Sequence, residues 1–91
     1  MTTKEKIETI LRHTLTATEV VVEDESAQHA GHAGAASGGG HYRVMVVSPL
    51  FEGKNPVARH RMVYAALAAE MQREIHALAL TTLTPSQQSS V

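Results

Sequence analysis

Between Glu25 and Gly40 the chain consists mostly of Ala, Gly, Ser and His, with Gly38, Gly39 and Gly40 in succession and no apolar periodicity. Such a segment has no apolar face to dock and reads as a mobile loop, so the residues that build a core must come from its two flanks. Long structureless connections are uncommon in compact domains and tend to be functional. The loop is therefore the first place to look for chemistry.

On the N-terminal flank, Thr2 stands three residues before Glu5, the spacing of a capping box. Ile7, Ile10, Leu11 and Leu15 share one face, with Lys4, Glu8 and Arg12 elsewhere, which predicts an amphipathic helix over about residues 3–15. Thr16, Ala17 and Thr18 break that pattern. The β-branched run Val20, Val21 and Val22 then predicts a strand ending near Asp24. On the C-terminal flank, His41 to Ser48 alternates, with Tyr42, Val44 and Val46 on one side and Arg43, Met45 and Val47 on the other. Apolar content on both faces predicts a central strand. Pro49 ends it, and Asn55 followed by Pro56 is a good N-cap and first helical residue for a helix over about residues 56–73. Met62, Val63, Ala66, Leu67 and Met71 form its apolar sector. A third strand over residues 75–82 alternates Ile75, Ala77 and Ala79 with His76, Leu78 and Leu80, and the polar tail after Pro85, from Ser86 to Val91, reads as frayed or weakly helical.

The order helix, strand, strand, helix, strand predicts an antiparallel pair of strands one and two. Strands two and three, joined through a helix, are expected to be parallel with a right-handed crossover. The fold class is α+β, a three-stranded mixed sheet with helices on one face and the other face open. At 91 residues, 43% hydrophobic and 19% charged, the chain is expected to form one domain over residues 1–91.

A formal net charge of -1 provides no overall basic field for a phosphate backbone, so any nucleic-acid binding must be local. The absence of cysteine excludes disulfides, thiol catalysis and a self-contained thiolate cluster site. Metal chemistry rests on His, Asp and Glu. No segment reads as a secretory signal or a membrane span, and the expectation is a cytoplasmic protein that is monomeric when apo. Asp24, Glu25 and Ser26 near histidines suggest a hydrolytic constellation only loosely; no nucleophile elbow or metal-protease motif accompanies them, and enzyme activity is not expected.

Several motifs in one order carry a resemblance: Asp24-Glu25-Ser26, a histidine-bearing loop, His41-Tyr42-Arg43-Val44, Val47-Ser48, Phe51-Glu52-Gly53-Lys54, Arg59-His60-Arg61-Met62-Val63-Tyr64 and Ile75-His76-Ala77-Leu78. In this the chain resembles the BolA family over about residues 2–85. The resemblance implies a fold similar to a class II KH domain, a monothiol glutaredoxin as partner in iron-sulfur cluster handling and, for some members, a role as DNA-binding transcriptional regulators in stress responses. It further implies that His76, opening the last strand, and a loop histidine ligate a shared [2Fe-2S] cluster. His29 is the best positional match for the loop ligand and His32 its substitute. One departure is Ser86-Gln87-Gln88 after Thr84-Pro85, where a tryptophan is often found in the family, and it weakens the expectation of a final helix.

Two imidazoles leave a tetrahedral iron half ligated, so the remaining ligands must come from outside the chain. A glutaredoxin cysteine and the thiol of its bound glutathione complete a set of two histidines and two thiolates, resembling Rieske ligation. Lys54, Arg59 and Arg61 form a local basic cluster, whose plain reading is a solvated helix face and whose functional readings are phosphate contact or partner docking. His60, between the two arginines, is expected to be structural. Gly53-Lys54-Asn55-Pro56 lacks the second glycine of the G-x-x-G loop, which argues against RNA binding in the usual KH manner.

Overall fold

A computed structural model of the chain describes residues 1–26 and 40–89. Helix α1 (Thr3–Thr14) begins on the expected capping box, in which Glu5 N donates to Thr2 Oγ1 at 3.1 Å and Thr2 N to Glu5 Oε1 at 2.8 Å. Strands β1 (Glu19–Asp24) and β2 (Gly40–Val47) pair antiparallel, and β2 pairs parallel with β3 (Ile75–Leu83), giving the sheet order β1-β2-β3. The fold is the expected α+β arrangement, and β2 is the central strand.

The apolar periodicities determine which face is covered. Val20, Val22, Val44 and Val46 point into a core with Ile7, Leu11, Leu15, Phe51, Val63 and Leu67, all buried. Both long helices therefore lie on one side of the sheet. Ser48, fully buried at the end of β2, joins three elements: its hydroxyl donates to Leu15 O at 2.6 Å and accepts from Leu50 N at 3.0 Å, and its own N donates to Leu83 O at 3.0 Å. A 3-10 turn (Pro49–Phe51) and Gly53, at φ 75°, then lead into helix α2 (Pro56–Ala66), capped as expected by Asn55 Oδ1 accepting from Ala58 N at 2.8 Å.

Two features differ from the sequence reading. The second helix is not continuous to Arg73: at the fully buried Leu67 the backbone turns to φ -103°, ψ 18°, separating α2 from the short α3 (Ala68–Met71). Both pieces keep their apolar residues on the core, Met62 and Ala66 before the break and Met71 after it.

The alternation expected of β3 is interrupted as well. Gly40 pairs with Ile75 but His41 with Ala77, leaving His76 as the extra residue of a bulge. Ile75, Leu78 and Leu80 thus all reach the core, and His76 does not share the side of Leu78 and Leu80, where strict alternation would place it.

The tail, expected to be frayed or weakly helical, forms a short helix, α4 (Pro85–Ser89). Thr84 and Gln87 form a second capping box, Thr84 N donating to Gln87 Oε1 at 2.9 Å and Gln87 N to Thr84 Oγ1 at 3.3 Å, with Pro85 at the first helical position. From the end of β3 this helix reaches across the sheet, where Gln88 Nε2 donates to Glu19 Oε1 at 2.7 Å. Val47 lies between, paired with Glu19 on one side and Leu83 on the other. It has the parity of the outer face yet is fully buried. The outer face is consequently closed at this end and open at the other.

Candidate functional site

The bulge in β3 lies at the open end. By returning Leu78 to the core it leaves two successive residues, His76 and Ala77, outside it, and His76 is exposed. On β2, Tyr42 is buried toward the core, so His41 projects outward. The two imidazoles meet there with ring centroids 5.3 Å apart and planes tilted by 50°. Among the described residues these are the histidines that the fold brings together.

The surrounding backbone is held at several points. Glu74, immediately before β3, accepts Lys6 Nζ at 2.6 Å and Thr3 Oγ1 at 3.0 Å through its carboxylate, while its carbonyl accepts Gly40 N at 2.9 Å. Those side-chain hydrogen bonds, Lys6 first and Thr3 second, hold the Glu74 carboxyl below the usual carboxylate range. One residue thus fixes the start of both strands that carry the imidazoles to the first turn of α1. A Cβ at Gly40 would lie 2.6 Å from Tyr42 Cε2, so a larger residue there requires the buried Tyr42 ring to shift.

At the end of β1, Asp24 Oδ1 accepts from Ser26 N at 2.9 Å and Ser26 Oγ accepts from His41 N at 3.1 Å. The Asp24 carboxyl is lowered, mainly by the Ser26 hydroxyl and then by its backbone N–H. The Asp24-Glu25-Ser26 motif therefore closes the base of the long loop and seats His41. Glu25 accepts from Arg43 Nε at 3.1 Å. Beside it, Glu25, His41, Tyr42, Ala77, Leu78 and Ala79 line a shallow, open depression of about 180 Å³.

Of the residues singled out from sequence, His76 is exposed at the bulge as described, while His29 and His32, with most of the loop over residues 25–40, lie outside the described residues. The basic cluster needs correction. Arg59 is not on a solvated face: it is 9% exposed, with Nε donating to Lys54 O at 2.8 Å and Nη1 to Thr82 O at 3.2 Å and Gln87 Oε1 at 2.8 Å. Its guanidinium carbon is 5.8 Å from the centroid of the Phe51 ring. This arginine ties α2 to β3 and α4 and is not available to a phosphate. Lys54 and Arg61 remain exposed on the helix layer, across the sheet from the outer face that carries His41 and His76. His60 is half-buried on α2.

His41 is the residue that sequence reasoning missed. Its place directly after the glycine run, opening a strand whose next residue points to the core, was the available signal; the bulge that brings His76 to it was not legible.

A family model described as BolA-like protein matches residues 11–87. The chain belongs to the BolA family. It is 45% identical over 83 residues to "Protein BOLA1, chloroplastic" of Arabidopsis thaliana, a match covering 88% of this chain and 52% of that protein. It is 42% identical over 84 residues to the "DNA-binding transcriptional regulator BolA" of Escherichia coli, covering 92% of this chain and 77% of the relative. The solved structure of BolA1 from Arabidopsis thaliana superposes with a TM-score of 0.81 at 40% identity, covering 94% of this chain and 95% of that one. The chain spans about half the length of the Arabidopsis BOLA1 protein it matches.

Among the described residues no group of three or more His, Asp or Glu side chains is arranged to hold a metal ion. Also among the described residues, no helix is long and apolar enough to cross a membrane.

Proposed function

We infer that this BolA-family chain is a non-enzymatic adaptor that pairs with a monothiol glutaredoxin, in a cytoplasmic setting, to hold or pass on a [2Fe-2S] cluster. The observation that carries this reading is the meeting of half-buried His41 and exposed His76 at the bulge, two imidazoles on one face of a chain that has no thiolate of its own. His76 is one ligand. The second from this chain is His29, with His32 as its substitute, or His41, whose ring centroid lies 5.3 Å from that of His76. The partner's cysteine and its bound glutathione supply the thiolates. When bound, the cluster supplies one-electron redox chemistry and a transferable iron-sulfur unit. The chain's own residues present the imidazoles: Glu74 and Ser26 fix the strand ends that carry them, and the bulge turns His76 outward.

The test is to mix the apo chain with cluster-loaded monothiol glutaredoxin and follow the visible circular dichroism. A new spectrum that saturates at one chain per glutaredoxin is expected; the unchanged spectrum of the glutaredoxin alone would overturn the reading.

A second reading, transcriptional regulation through DNA, is favoured by the likeness to the Escherichia coli regulator and by the exposed Lys54 and Arg61. With Arg59 engaged internally, few phosphate contacts are on offer, so any affinity should be weak and fall steeply with salt. Titration of duplex DNA at two salt concentrations decides it. Binding that ignores salt, or survives Lys54→Ala with Arg61→Ala, removes this reading.

A further inference from the structure

The imidazole pair does not stand alone on its face. Outward residues of the three strands form cross-strand rows: Val21, Met45 and Thr81 in one, Glu23, Arg43 and Ala79 in the next, and His41 with Ala77 in the last, beside His76. The surface is shallow because β3 contributes alanines where β1 and β2 carry longer side chains. The resulting depression over Ala77 and Ala79 opens directly beside His41. Val21, 42% exposed, forms a second apolar spot nearer the end closed by α4, beyond the Glu23–Arg43 pair.

The charge on this face differs from that on the helix layer. Glu19, Glu23 and Glu25 occupy outward positions on or just after β1, against the guanidinium of Arg43, which is already paired with Glu25. The helix layer instead exposes Lys54 and Arg61. A molecule that brings a thiolate to His76 must approach the outer face, and the surface it meets next is the alanine-lined depression on β3, bordered by Arg43 on β2 and by the glutamates along β1.

We propose that the thiolate-bearing protein partner docks on the outer sheet face, with one apolar side chain in the Ala77–Ala79 depression and basic residues along β1, and does not use the Lys54–Arg61 surface. This rests on the ligation reading above and deepens it, since it assigns the face, the anchor and the charge of the partner. The geometry that supports it is continuity. The depression shares His41 with the imidazole pair, so a partner seated in it has its neighbouring residues over His76. A central anchor in a pocket rimmed by charge is also how compact interfaces concentrate their binding energy.

The probe is cluster-loaded monothiol glutaredoxin, with affinity read by calorimetry and cluster sharing by visible circular dichroism. Ala79 is exposed, so Ala79→Arg fills the depression and adds a repelling charge without touching the core. Val21→Lys places the same charge at the other side of the face, as a second variant. The expected result is a loss of affinity of about tenfold or more for Ala79→Arg and a smaller loss for Val21→Lys, with Arg61→Glu staying within about twofold of the parent. Near-parental affinity for Ala79→Arg in a folded protein, or a greater loss for Arg61→Glu, overturns the docking face while leaving His76 as a ligand. If the unaltered chain gives no mixed complex, the ligation reading fails, and the docking proposal with it. Should Ala79→Arg not fold, a parental affinity in Val21→Lys overturns the proposal by itself.

Discussion

Arg59 on α2 and Gln87 on α4 are joined by a 2.8 Å hydrogen bond from Nη1 to Oε1, and the same Oε1 accepts the backbone N–H of Thr84. The arginine thus completes the cap of the last helix. Arg59→Ala is expected to cost about 2–4 kcal/mol, because it strips a buried charged donor from two carbonyls and one amide oxygen. Arg59→Lys should recover only part of this, since an ammonium lacks the planar fork. Urea unfolding of the two variants checks it. Parental stability in Arg59→Ala would return this residue to the solvated basic cluster.

Ser48 offers a second test of the core. Ser48→Ala leaves Leu15 O and Leu50 N without their hydroxyl partner at a fully buried position, and should cost about 1–3 kcal/mol. Thermal unfolding reads the change, and a shift within error of zero would show that the hydroxyl is dispensable.

Thr16 follows α1 at φ 51°, a left-handed conformation that a β-branched residue adopts at a cost. Thr16→Gly relieves it and should raise stability by about 0.5–1 kcal/mol, against the usual penalty for introducing glycine. A destabilised Thr16→Gly protein would contradict this local geometry.

The Glu74 contacts give a pH dependence of known sign. Because its carboxyl titrates lower when folded than when unfolded, the stability it contributes is present above the unfolded value and is lost as pH falls through the lower, folded one. The contacts are part-exposed, so the effect is modest. Glu74→Gln should be slightly less stable than the parent near neutrality, and the difference should shrink toward zero in acid. A gap that widens as pH falls would contradict the assignment.

The fold was largely legible because each element had a consistent local signal: Thr2 with Glu5, the Val20–Val22 run, Asn55 with Pro56. What escaped depended on contacts between distant residues. Arg59 reads as a surface cation from its neighbours His60 and Arg61, and only the packing of α4 against β3 shows why it is buried. The capping box of α4 is written in Thr84 and Gln87, within the same stretch that departs from the family pattern. The bulge at His76 depends on the register between β2 and β3 and has no local signature, so the meeting of His76 with His41 required the structure.

That meeting makes His41 a discriminating position. If His41 is the second ligand from this chain, His41→Ala should alter the mixed-cluster spectrum as strongly as His76→Ala does, while His29→Ala leaves it near the parent. If His29 or His32 serves, the order reverses. Parallel visible circular dichroism of the single variants separates the two.

The central claim, that His76 is a ligand in a cluster shared with a monothiol glutaredoxin, is tested most directly by the visible circular dichroism of the mixed complex formed with His76→Ala. His76 is exposed at a bulge, outside the core, so the variant should keep the parental far-ultraviolet spectrum and melting behaviour. Partial binding of the apo partners should survive, while the spectrum characteristic of the mixed cluster is lost. A folded His76→Ala protein that still gives the parental mixed-cluster spectrum would contradict the account and leave His76 as a residue of the bulge alone.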